Sequence, residues 1–272
     1  IIIALGRFAK FRVKGPLKRS IIDQHGADPI EIGGHYGTRF VLDGAVRSNG
    51  AAFRLTVRLV DSESGLQVWG ATVDFSLQSE SMLDFYNGIA SKVAGTIADN
   101  HGVVYRVLLD ECNTQTQKNP SSYEAILRCY HYFRVLSEES HARAVSSLEQ
   151  ALCEDASDSS INAMLSDLIA SCYLFGITDD QSVLDRAEKL ARIAVNSDPA
   201  NQPAHFSLAL AAFLRFNREF FLREADHTLR LNPNNATYVA ALGLHITTVG
   251  EEDWGLELIS RAMELNPHHA SW

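Results

Sequence analysis

Long apolar runs are missing from this 272-residue sequence. No stretch of 18 apolar residues occurs, so these residues hold no membrane-spanning helix of ordinary length. Cysteine is scarce: Cys112, Cys129, Cys153 and Cys172 are all there is. None forms a Cys-x-x-Cys pair and no histidine cluster has zinc spacing, which argues against a structural metal or a disulfide framework. Buried free thiols fit a reducing compartment, so a cytoplasmic location is expected, or a periplasmic one if the whole protein is a membrane-anchored regulator.

Catalytic signatures are missing too. There is no Gly-x-x-x-x-Gly-Lys-[Ser/Thr] loop to cradle phosphates and no Gly-x-Gly-x-x-Gly turn for a dinucleotide. Neither His-Glu-x-x-His nor Gly-x-Ser-x-Gly is present. The expectation is a chain that is not itself an enzyme, with no cofactor and no metal. Gly33-Gly34-His35 reads as a flexible loop rather than a phosphate turn. His268-His269 is a poor metal pair because adjacent side chains diverge. Asp179-Asp180 and Glu251-Glu252-Asp253 read as solvated surface rather than a carboxylate dyad.

Charge of one sign dominates only one part. Residues 1–110 carry 12 Lys/Arg against 11 Asp/Glu, whereas residues 111–272 carry 12 against 22. The acidic part is a poor nucleic-acid binder, since phosphate contacts need a basic face. The basic start, from Arg7 to Arg19, reads as a solvated face or a contact for the acidic part.

What is present is a repeat. Asp198-Pro199-Ala200-Asn201 recurs as Asn232-Pro233-Asn234-Asn235 and as Asn266-Pro267-His268-His269, with the prolines 34 residues apart each time. Proline stops a helix and the asparagines that follow cap the next one. The period is that of tetratricopeptide repeats, pairs of antiparallel helices that bury their apolar faces only by stacking. In Ala236–His269, Leu242-Gly243 resembles the family's Leu-Gly pair, Gly255 and Ala262 its two small positions, and Leu256, Ile259, Ala262 and Met263 supply the apolar stripe. In Gln202–Asn235 the small positions hold Phe221 and Thr228, which predicts looser or shifted packing there. Two divergent units precede these: Ile161–Phe175 with Ser182–Ser197, and Ser121–Leu136 with Ser140–Glu154.

Residues 39–75 alternate with period two. Phe53, Leu55, Val57 and Leu59 oppose Arg54, Thr56 and Arg58. Phe40, Leu42 and Val46 precede them, and Trp69, Ala71, Val73 and Phe75 follow. Asn49-Gly50 is a hairpin turn signal, so an antiparallel meander is expected. A helix should cover it, opened by Ser81 with Asp84 and apolar at Met82, Phe85, Ile89, Val93 and Ile97. A short strand is expected at 11–14, and a helix within 27–37 broken at Gly33-Gly34. The fold class is therefore an α+β amino-terminal domain (1–105), a linker (106–119) and an all-α repeat solenoid (120–272). The apolar start without Met reads as a fragment boundary, and Ala270-Ser271-Trp272 as the opening of a further helix, which would leave the last unit's apolar face uncovered.

The segment Arg39-Phe40-Val41-Leu42-Asp43-Gly44-Ala45-Val46-Arg47 and its continuation Arg54 through Asp61 to Gly65 and Trp69 resemble a bacterial domain related to the amino-terminal domain of TolB. Ser64 stands where that family has Thr. That resemblance implies a partner-binding or sensing region behind either a class III adenylate cyclase domain or a CadC-like winged-helix domain. Three functions remain open: a non-catalytic interaction region of a signalling or transcriptional regulator, the regulatory tail of a cyclase, or a small-molecule sensor using the α+β domain. First helices line the concave face of such stacks, so a protein or peptide partner is expected there. By spacing, its contacts are the pairs Tyr130 and Phe133, Asp167 and Ala170, Leu210 and Phe213, and Leu244 and Thr247.

Overall fold

The structure is a computed structural model that describes residues 1–8, 11–17, 28–49, 52–76, 82–112 and 121–267. Helices α1 (Ile2–Leu5) and α2 (Pro29–Tyr36) precede strands β1 (Phe40–Asn49), β2 (Ala52–Asp61) and β3 (Gln67–Ser76). Helices α3 (Met82–Ala98) and α4 (Val103–Cys112) follow. Four helix pairs complete the described chain: α5 (Ser122–Val135) with α6 (Glu138–Glu154), and α7 (Ser159–Leu174) with α8 (Ser182–Ser197). The last two are α9 (Gln202–Leu214) with α10 (Arg218–Leu231), and α11 (Ala236–Thr248) with α12 (Glu252–Leu265).

The sheet is the expected antiparallel meander, in the order β1-β2-β3. Its register sets Leu42 opposite Leu59 and Leu59 opposite Trp69, so the apolar positions share one face. Val57 and Leu59 are buried under Ile89, Val93 and Ile97 of α3. Val46 keeps the alternation but is 66% exposed. The other face carries directly opposed ion pairs, Asp43 with Arg58 at 2.7 Å and Arg54 with Asp74 at 2.6 Å. Opposite charges facing each other across a ladder favour the pairing, weakly where both are in solvent. Ser81, Gly50 and His268-His269 lie outside the described residues.

Two local expectations are corrected. Residues 11–14 form no strand. Phe11 instead packs edge-on against Tyr105, with ring centroids 5.6 Å apart, so its burial comes from α4 rather than from a sheet. Nor do Gly33 and Gly34 break α2. Asp28 caps that helix by accepting from the Ile30 N–H at 2.9 Å, Pro29 opens it, and Gly37 ends it with φ of 59°. Gly33 is needed for proximity: a Cβ there would lie 2.2 Å from Ser62 Cβ. Beside it, Arg39 joins the end of β2 to α4, bonding Asp61 at 3.1 Å and Glu111 at 2.6 Å. The helix α4 thus runs through 103–112 and brings the sheet against the first pair.

The repeat junctions follow the sequence closely. Asn201 accepts from the Ala204 N–H and Asn235 from the Tyr238 N–H, each capping the next helix. The side-chain amide of Asn235 also donates to Gln202 Oε1 at 3.1 Å, tying one junction to the previous one. Within the last pair, α11 and α12 meet at glycine: a Cβ on Gly255 would lie 2.6 Å from the Gly243 carbonyl oxygen. The pair α9–α10 is shifted as expected: its helices approach less closely than α11 and α12, which have the same lengths, and Phe221 is fully buried against Phe213. The stripe on α12 is also shifted. Leu258, Ala262 and Leu265 are buried, while Leu256 and Met263 are exposed.

The two parts of the chain close on each other. α4 packs on α5, the first repeat helix, and α3 packs on α12, the last described one. Gly95 permits that second approach: a Cβ there would lie 3.0 Å from the Leu265 carbonyl oxygen and 3.1 Å from that of Asn234. Thr96 Oγ1 donates to the Leu265 carbonyl at 3.3 Å. The end of α12, expected to stand uncovered, is therefore partly covered by α3.

Candidate functional site

The hairpin of α3 and α4 bridges the two ends of the helix stack, and a cavity of about 190 Å³ lies between its turn and the inner helices. Asn100 and His101 form the turn side. Every lining residue that sits within a repeat helix belongs to the first helix of its pair: α5, α7, α9 or α11. Leu136 and Phe175, the C-cap residues of α5 and α7, stand at the mouth with Leu244, at 52%, 55% and 56% exposed. This is an apolar rim on an apolar hollow.

Of the positions expected from spacing, Tyr130, Phe133, Asp167, Leu210 and Leu244 line this cavity. Ala170, Phe213 and Thr247 do not. Ala170 is wholly buried; Phe213 stacks on His245 at 4.3 Å; Thr247 turns toward α12 and donates to the Gly243 carbonyl at 2.9 Å. The lining takes i+3 steps, as from Tyr130 to Phe133 and from Ala241 to Leu244, and i+4 steps, as from Asp167 to Ser171 and from Ala241 to His245, so a single fixed offset does not trace it. Phe206 and Tyr238 were also missed, although they stack at 4.3 Å and form one wall. Both lie on first helices, which is the signal the sequence offers for them. Asn100 and His101 had none, because only tertiary closure brings them here.

Asp167 is the one acidic side chain in the lining. Ser171 Oγ donates to its Oδ1 at 3.2 Å, and no lysine or arginine among the described residues pairs with it. Burial pushes its pKa up to about 7, against the smaller opposing effect of Ser171. His245 is moved the other way: burial lowers it to about 4, so it is neutral near pH 7. Burial also raises the phenols of Tyr130 and Tyr238 well above their ordinary value, with the charge of Asp167 adding to the effect on Tyr238. The cavity therefore holds a single carboxyl poised between its two states, among neutral aromatic walls.

Elsewhere, Cys172 Sγ lies 2.9 Å from His141 Nε2. Burial raises the Cys172 thiol and lowers His141, so both are neutral and the contact is a half-buried hydrogen bond rather than a thiolate pair. Among the described residues, no group of three or more His, Cys, Asp or Glu could hold a metal ion, and no helix is long and apolar enough to cross a membrane.

No family model matches the chain. It is 26% identical over 204 residues to putative adenylate cyclase 3 of Rhizobium meliloti strain 1021, a match covering 74% of this chain and 33% of that protein. The chain thus spans about a third of that relative. Among solved structures, it is similar to a thermophilic TPR protein of Thermus thermophilus, with TM-score 0.44, 17% identity, and coverage of 69% of this chain and 89% of the other. It is also similar to MamA, with TM-score 0.37, 14% identity, and coverage of 64% and 92%. The chain is an α+β segment followed by an all-helical stack of four antiparallel helix pairs.

Proposed function

We propose that this chain is a non-catalytic partner-binding region of a larger regulatory protein, and that a segment of a protein partner docks on the inner, concave helices over the cavity. The observation that carries the reading is the apolar rim of Leu136, Phe175 and Leu244 around a hollow of about 190 Å³. Exposed apolar side chains gathered at a cavity mouth mark an interaction site more than scattered ones do. Helical stacks present such surfaces to extended or helical peptides. The turn of Asn100 and His101 lets an occupant touch the α+β residues and the repeats at once. Residues 1–105 then serve as the α+β unit, with α4 carrying the chain into a repeat array over 120–272.

The test is a selection of peptides from a displayed library on the 272-residue chain, repeated on Phe175→Asp. Selected peptides should lose most of their binding to the variant, since a charge at the rim must be desolvated on docking. Peptides that bind both proteins equally would place the site elsewhere.

A second reading follows from the Rhizobium meliloti relative and from the TolB-like segment 39–69: the chain is the regulatory tail of an adenylate cyclase whose catalytic domain lies outside it. Its test is cyclase activity of a full-length parent with and without Phe175→Asp. A change in activity with unchanged protein level supports it, and no change counts against it. A winged-helix parent and a small-molecule sensor in the α+β part are alternatives without a specific supporting observation.

A further inference from the structure

Resting on the partner-binding reading, we infer that the cavity receives a lysine side chain from the docked segment, with Asp167 as its counter-ion and the aromatic walls around its methylenes. Four observations converge. The lining contains a carboxyl with no cationic partner among the described residues, and no described lysine or arginine lines the hollow. A buried acid in that position is costly unless a cation meets it. Aromatic side chains, Tyr130, Phe133, Phe206 and Tyr238, surround the same space, and ring faces attract cations. Residues 111–272 carry 12 basic against 22 acidic groups, which draws a basic segment in.

The geometry also selects lysine over arginine. A guanidinium favours a carboxylate with both oxygens free for a forked pair. Here Oδ1 already accepts from Ser171, so a forked guanidinium would have to share that oxygen, whereas Oδ2 is open to a point-charge donor. An ammonium on a flexible apolar stem matches such an acceptor within an apolar hollow. The exposed rim residues then pack the side chains flanking that lysine. The other ionisable groups facing the space are His101, Tyr130, Tyr238 and His245, with Cys129 close behind Asp167.

The probes are n-hexylammonium, 1-hexanol and hexanoate, and the peptides acetyl-Leu-Lys-Leu-amide and acetyl-Leu-norleucine-Leu-amide, titrated into the full chain. Hexylammonium should bind about ten-fold more tightly than hexanol at pH 8, and hexanoate most weakly. The lysine peptide should exceed the norleucine peptide by a similar factor. Both preferences should collapse in Asp167→Asn, which keeps an oxygen for Ser171, and persist in Ser171→Ala. If Asp167→Asn does not fold, the wild-type preference must still grow between pH 6 and 8. Equal binding of hexylammonium and hexanol, or tighter hexanoate, overturns the assignment. So does hexylammonium binding without a lysine-peptide preference. In each case rim-dependent peptide capture would leave the partner-binding reading standing, whereas capture insensitive to Phe175→Asp would remove both.

Discussion

Asp99 accepts the backbone N–H of Thr237 at 2.9 Å and its hydroxyl at 3.0 Å, across 138 residues of chain. The wholly buried carboxylate also accepts from the His101 N–H at 3.2 Å and the Asn266 amide at 3.3 Å. One side chain just past the end of α3 thus caps α11 from outside and holds the junction after α12. It is the polar core of the closure that creates the cavity. Asp99→Ala leaves those buried donors short of an acceptor and removes a cap. A loss of about 3 kcal/mol is expected in denaturant unfolding. A loss below about 1 kcal/mol would show that the closure does not depend on this residue.

Gly33 and Gly34 are neighbours in α2 with opposite expectations. A Cβ on Gly33 meets Ser62 and the Thr38 carbonyl oxygen, whereas one on Gly34 meets nothing within 4 Å. Gly33→Ala should destabilise by about 1–3 kcal/mol through overpacking. Gly34→Ala should be neutral or stabilise by up to about 1 kcal/mol, through the better helix propensity of alanine. Thermal unfolding of the two variants checks the sign of each.

Phe221 occupies a position where the repeat pattern has a small residue, and it is fully buried. Phe221→Ala should cost about 3–5 kcal/mol, as for other large-to-small core changes. A cost near zero would show that this side chain contributes little to holding α9 and α10 together.

The cavity gives two opposed pH dependences. Asp167 is raised to about 7 when folded, above the usual range for an aspartate, so its contribution to stability is complete at low pH and is lost as pH rises toward 7. His245 is lowered to about 4, so its contribution is present above about 6.5 and is lost as pH falls through 4. Between these limits the two slopes oppose each other. Asp167→Asn should expose a stability that rises from about pH 4 to 6.5, and His245→Phe one that falls from about pH 4 to 7. Denaturant titrations across that range read both slopes, and identical profiles for the two variants would contradict the assignment.

How much was legible follows from which interactions are local. Helix boundaries in the four pairs come from Pro199, Pro233, capping asparagines and 3.6-residue periodicity, all read within one or two turns. The meander follows from alternation between Phe53 and Leu59. Repeat spacing marks Tyr130, Phe133, Asp167, Leu210 and Leu244 as first-helix positions facing a partner, and all five line the cavity; Ala170, Phe213 and Thr247, marked by the same spacing, do not. His101 and Asn100 were illegible: they reach the site only because Gly95 lets α3 approach Leu265, and that contact spans about 170 residues of chain.

A partner site built jointly by the inner helices and the α3–α4 turn is tested most directly by amide hydrogen exchange of the full chain, with and without a library-selected peptide. Added protection is expected at 100–101 and in the helix-end segments near Leu136, Phe175 and Leu244, with the outer helices α6, α8 and α10 unchanged. Protection confined to those outer helices, with none at Asn100 and His101, would contradict it.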